Sequence, residues 1–132
     1  MGKINSRNKG ASFERDIAKR LNSFFEEIGV DFKAKRNLEQ YQEKDLGDLN
    51  IPNHIIECKR YASGNWYKDD WWQQVCASCK GDIPVLIWKY NHQPIRVCVP
   101  LWAVVDRAAA DNSVTVVFTF ENWLKYELAY NL

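Results

Sequence analysis

Residues 47–60, Gly-Asp-Leu-Asn-Ile-Pro-Asn-His-Ile-Ile-Glu-Cys-Lys-Arg, constrain the fold more than any other stretch of the chain. They read as two short strands joined at Pro52-Asn53, with Leu49 and Ile51 alternating on the first and the apolar pair Ile55-Ile56 on the second. A two-residue connection sets Ile51 against His54 and, counting back, Asp48 against Glu57. Lys59 shares the Glu57 face because strand side chains repeat with period two. Directly opposed side chains have Cβ atoms ~4.5–5.5 Å apart, and like charges there are destabilising. Two carboxylates so placed push one pKa up unless a cation lies between them, and a hard divalent ion held by carboxylate oxygens relieves the repulsion. The spacing also fits an ordinary solvent-facing hairpin decorated with charges. Pro52 cannot take the positive φ of a primed two-residue turn, so a longer or bulged loop that moves one carboxylate to the other face stays open as well.

The rest of the chain supplies the context. At 132 residues it is long enough for one domain with a real core. No apolar run reaches the ~20 residues that span a bilayer, and residues 1–10 lack the apolar segment of a signal peptide, so an intracellular, cytoplasmic protein without membrane contact is expected. Residues 1–36 carry nine Lys/Arg against five Asp/Glu, a basic third compatible with a phosphate backbone or with plain helix solubility. Cys58, Cys76, Cys79 and Cys98 are read as free thiols and no zinc is expected. The Cys76-x2-Cys79 spacing suits a metal but falls within an expected helix, and its would-be partners are lone cysteines on separate strands.

Residues 1–8 read as a flexible segment ahead of a single domain over 9–132. A helix from about Lys9 or Ser12 to Ile28, stopped by Gly29, places Phe13, Ile17, Leu21, Phe24, Phe25 and Ile28 on one arc. Glu14 falls inside that arc, where it either snorkels outward or aims a third carboxylate at the hairpin. A strand over 30–36, a polar loop over 37–46 containing Tyr41 and the central hairpin follow. A second helix starts near Asp69 or Asp70 and ends at Gly81, with Trp72, Val75, Cys76 and Cys79 on its apolar face. Strands are expected over 85–90, in a central position, over 95–99 and over 114–120, with residues 100–110 readable as strand or helix and a closing helix over 121–131. Trp66, Tyr67, Trp71 and Trp72 could stack on bases, but an aromatic cluster of this kind fits a core or a dimer interface better, and the interface is the reading adopted. The order of elements predicts an α/β fold, a mixed sheet flanked by helices.

Glu14 on the first helix, Gly47-Asp48 on one strand and Glu57-Cys58-Lys59 on the next together resemble the PD-(D/E)XK nuclease superfamily. The string Lys9-Gly10-Ala11-Ser12-Phe13-Glu14-Arg15 is most similar to the archaeal-type and phage-type Holliday junction resolvases, and the match spans residues 9–90. The leading Pro-Asp pair of the family is absent, since Gly47 precedes Asp48. The resemblance implies a restriction-endonuclease-like fold and a DNA endonuclease in which Asp48, Glu57 and the Cys58 carbonyl bind Mg²⁺ or Mn²⁺, Glu14 completes or supports that site, and Lys59 acts on the attacking water and the phosphate. It implies DNA contacts for Lys9, Arg15, Arg36 and Arg60, an auxiliary role for Gln74, branched DNA as substrate, a homodimer, and a prokaryotic or phage-infected cell. A restriction-like or repair nickase on duplex DNA and an inactive nuclease-fold DNA-binding protein are the alternatives, the intact Asp48/Glu57/Lys59 set counting against the second.

Overall fold

A computed structural model describes residues 2–37, 47–106 and 109–132, with backbone alone for residues 2–8. Its six strands form one sheet in sequence order: β1 (Lys35–Arg36), β2 (Leu49–Ile51), β3 (His54–Tyr61), β4 (Ile83–Tyr90), β5 (Arg96–Pro100) and β6 (Thr115–Thr119). Only β3 and β4 run parallel, and α2 (Asp69–Ser78) makes the crossover between them. The architecture is the α/β mixed sheet with flanking helices expected from the order of elements.

Helix α1 (Gly2–Ile28) lies on one face, burying Phe13, Ile17, Leu21 and Phe25 against Leu49, Ile56, Val85 and Ile87. The chain's last helical elements join this core through Phe120, Trp123 and Leu128. On the opposite face α2 sets Trp71, Trp72 and Val75 against Ile55, Leu86 and Trp88. Strand β4 is apolar on both faces because both are covered, as its composition predicts.

The helix α1 starts earlier than expected, at Gly2. It stops where predicted: Gly29 takes φ 78°, its N–H meets the Glu26 carbonyl at 3.2 Å, and Val30 N–H meets the Phe25 carbonyl at 2.8 Å. The first strand is shorter than residues 30–36. Asn22 of α1 replaces a neighbouring strand at Ala34, accepting from its N–H at 2.6 Å and donating to its carbonyl at 3.2 Å. The expected loop over 38–46, with Tyr41, lies outside the described residues. Residues 101–103 are a 3₁₀ turn, which resolves the strand-or-helix alternative there. The closing helix divides into α3 (Phe120–Trp123), a π-helical segment (Leu124–Leu128) and α4 (Ala129–Asn131). The interface reading of the aromatic set is corrected for Trp71 and Trp72, which are 5% and 8% exposed and belong to the core beneath α2; Trp72 Nε1 also donates to the Asn112 carbonyl at 2.7 Å.

Candidate active site

The β2–β3 connection is a two-residue turn with Ile51 paired to His54. It accommodates Pro52 because only Asn53 takes a positive φ, 66°, so the demand falls on a residue that tolerates it. The pairing Leu49 with Ile56 then sets the next residues back, Asp48 and Glu57, beside each other. Asp48 also caps the ladder: its N–H donates to the Ile56 carbonyl at 2.7 Å, and its Oδ2 accepts from Cys58 N–H at 2.7 Å. Gly47 makes this approach possible. It holds φ 71°, and a Cβ there would lie 2.8 Å from Ile55 Cγ1 and 3.1 Å from the Ile56 carbonyl oxygen. Proline, fixed near −65°, cannot take this conformation, which accounts for glycine where the family has its leading proline.

Three carboxylates meet here. Asp48 and Glu57 are buried, at 6% and 4% exposure, and their carboxyl groups lie within hydrogen-bonding reach of each other. Glu14 reaches the same group from α1. Burial pushes the Glu57 carboxyl up to about 8, with the Asp48 charge and the Asp48 hydrogen bond adding to the shift, Lys59 opposing it and Glu14 adding a little more. Glu14 is raised as well, first by burial and then by Asp48, against the pull of Arg36, whose Nε donates to Glu14 Oε2 at 2.8 Å. Burial likewise pushes the Cys58 thiol well above its ordinary range, so at neutral pH this cysteine is a neutral neighbour. Lys59 is held by Gln74 of α2, its Nζ donating to Oε1 at 3.2 Å.

The remaining candidates are dispersed around this pocket. Lys9 is half-buried on α1. Arg15 and Arg36 line a groove of about 570 Å³ between α1 and β1, with Lys19 and Lys35. Arg36 is thus both a groove residue and the partner of Glu14. Arg60 alternates to the face opposite Lys59, and its guanidinium donates to the Tyr61 carbonyl at 2.6 Å and to Asn91 Oδ1 at 2.7 Å. All four cysteines are free thiols.

One buried cluster escaped the sequence reading. His54 Nδ1 donates to the Pro52 carbonyl at 2.6 Å while Nε2 meets Glu127 Oε2 at 2.7 Å, both side chains being fully buried. Since a carbonyl can only accept, a second proton lies between His54 Nε2 and Glu127. Trp123 Nε1 and Asn131 Nδ2 donate to the same carboxylate at 2.7 and 2.8 Å. A signal existed: Glu127 lies four residues after Trp123, inside the apolar arc of its helix, as Glu14 does in α1.

Hard oxygen donors beside a lysine fit a divalent cation chemically. Among the described residues no group of three or more His, Cys, Asp or Glu side chains is arranged to hold a metal ion. Among the described residues no helix is long and apolar enough to cross a membrane. No curated protein matches the chain. A family model described as "Phage putative PDDEXK endonuclease" matches residues 5–130, nearly the whole sequence, and so the chain belongs to that family of nucleases.

Proposed function

We propose that this protein is a Mg²⁺- or Mn²⁺-dependent endodeoxyribonuclease that cleaves branched DNA as a homodimer, a Holliday junction resolvase acting in the cytoplasm of a prokaryotic or phage-infected cell. The observation that carries metal dependence is the raised carboxyl of Glu57, about 8, beside Asp48. At neutral pH such a pair must share either a proton or a cation. Asp48 and Glu57 hold the ion, with the Cys58 carbonyl as a backbone ligand and Glu14 supporting Asp48. When bound, the ion supplies a more acidic water and a polarised phosphate. Lys59, steadied by Gln74, orients the attacking water and offsets charge that develops on the phosphate. Arg15 and Arg36 receive the flanking backbone along the α1–β1 groove, Lys9 adds positive charge from an earlier turn of α1, and Arg60 contributes less directly, through the turn it fixes.

The choice of a four-way junction rests on the similarity of residues 9–15 to the resolvases. Two symmetric incisions need two such sites, and a two-fold dimer supplies the second. The test is cleavage of a synthetic four-way junction against a linear duplex of the same sequence, with Mg²⁺ and with chelator, alongside sedimentation of the protein alone and on the junction. Paired, Mg²⁺-dependent nicks across the junction by a dimer support the reading. A monomer that nicks both substrates equally would make it a duplex nickase instead.

A further inference from the structure

Strand β3 carries Glu57, Lys59 and Tyr61 on one face, because alternate residues of a strand point the same way, and each two-residue step advances about 6.6 Å. The row that begins in the carboxylate pocket therefore ends on an aromatic ring. Tyr61 is 45% exposed, and its ring stacks almost parallel on Trp71, with centroids 5.2 Å apart and planes 8° apart. Trp71 is buried beneath it and packs in turn against Tyr90 at 6.3 Å. Tyr61 is the outermost ring of this stack, and the Lys68 ammonium sits 5.8 Å from the Trp71 ring at the same corner.

The backbone beneath the ring is fixed from several sides. Arg60 donates to the Tyr61 carbonyl and to Asn91 Oδ1, and Asn91 N–H donates to the Ala62 carbonyl at 3.3 Å. Gly64 lies so close to Tyr90 that a Cβ would come within 2.4 Å of the ring, and the Tyr90 hydroxyl donates to the Trp66 carbonyl at 2.6 Å. A large ring held this firmly yet left facing water is a preorganised surface, since ordering it has already been done before anything binds.

We infer that Tyr61 is a stacking platform for one unpaired nucleobase of the substrate, next to the phosphate that Lys59 faces. The inference rests on the nuclease reading and sharpens its substrate class to DNA with a splayed nucleotide at the cut. Inside a continuous duplex both faces of a base are covered by its neighbours, so only a base freed by a branch, flap or gap can lie on the ring. Stacking tolerates any base, which gives structure selection without sequence selection. In this arrangement Arg60 is a positioning residue for the platform.

The test uses a duplex with a short single-stranded flap carrying 2-aminopurine at its first unpaired position, and a control with the same base inside a continuous duplex, both in chelator so that nothing is cut. Expected is quenching of the flap base by the wild-type protein and by Tyr61→Phe, which keeps the ring. Tyr61→Ala should lose the quenching and about tenfold in flap affinity, with duplex affinity unchanged. Equal flap-to-duplex ratios for wild type and Tyr61→Ala would overturn the inference. So would a Tyr61→Ala protein whose only change is weaker self-association, which would assign the ring to a second copy of the chain. Quenching without any Mg²⁺-dependent cleavage by the wild type would leave the platform standing and remove the nuclease reading.

Discussion

Glu57 shows how a single side chain reports on its surroundings. Its carboxyl is raised to about 8 and that of Glu14 is raised in the same direction, so the metal-free fold favours their neutral forms. A group whose folded pKa lies above its unfolded value stabilises fully below the unfolded pKa, near 4.5, and that contribution is lost as pH rises through the folded one. Thermal melts in chelator should therefore show Tm falling between pH 5 and pH 8.5, with Glu57 contributing up to about 1.4 kcal/mol per pH unit. Glu57→Gln should flatten the profile, and a flat wild-type profile would contradict the buried, repelling pair. Mg²⁺ should raise Tm more at pH 8 than at pH 5, where protons compete for the same oxygens. Lys59→Ala should lower kcat about 10²–10³-fold while leaving Tm nearly unchanged, since Lys59 is half-exposed and, among the described residues, its amine hydrogen-bonds only Gln74. Gln74→Ala should lose less, because it removes the support and keeps the charge.

At the scale of elements the hairpin is where sequence and structure agree most closely. Alternation of Leu49, Ile51 and the Ile55-Ile56 pair placed its strands, and the turn followed from Pro52-Asn53 once the positive φ was confined to Asn53. Asn53→Ala should cost about 1–2 kcal/mol in urea unfolding, because an L residue without a side-chain amide is strained there and the bond from Asn53 Nδ2 to the Asn131 carbonyl, 2.9 Å, is lost too. Asn53→Gly should cost less. The Asp48–Glu57 proximity was legible for the same local reason, since register over so few residues leaves little freedom. What could not be read locally depended on partners far along the chain. The first strand is shortened by an amide of Asn22 on the helix before it, and Arg36 meets Glu14 across 22 positions. Trp72 was rightly placed on the apolar face of its helix, but assigning it and Trp71 to an interface failed because the aromatic residues themselves do not say whether a sheet face will cover them; α2 packs on the sheet, so they are buried.

The whole molecule is tied together by the Glu127 carboxylate, which joins the hairpin turn at His54 to Trp123 and Asn131. Glu127→Ala should destabilise by about 3–5 kcal/mol in urea unfolding, because it strands two buried donors, His54 Nε2 and Trp123 Nε1, at once. Glu127→Gln should cost less, since the amide oxygen still accepts from Trp123 Nε1 while its NH₂ takes the Oε2 position facing His54 and Asn131. A loss below 1 kcal/mol for Glu127→Ala would mean that water replaces the carboxylate. His54 and Glu127 lie 73 residues apart in the chain, and this separation has a consequence during synthesis. At the usual 5–20 residues per second, roughly 4 to 15 s pass between the two leaving the ribosome's catalytic centre. During that interval the turn can already be held by β4, whose Ile83 N–H donates to the Asn53 carbonyl at 2.8 Å, but the buried His54 ring gains its carboxylate partner only after residues 123–131 have followed.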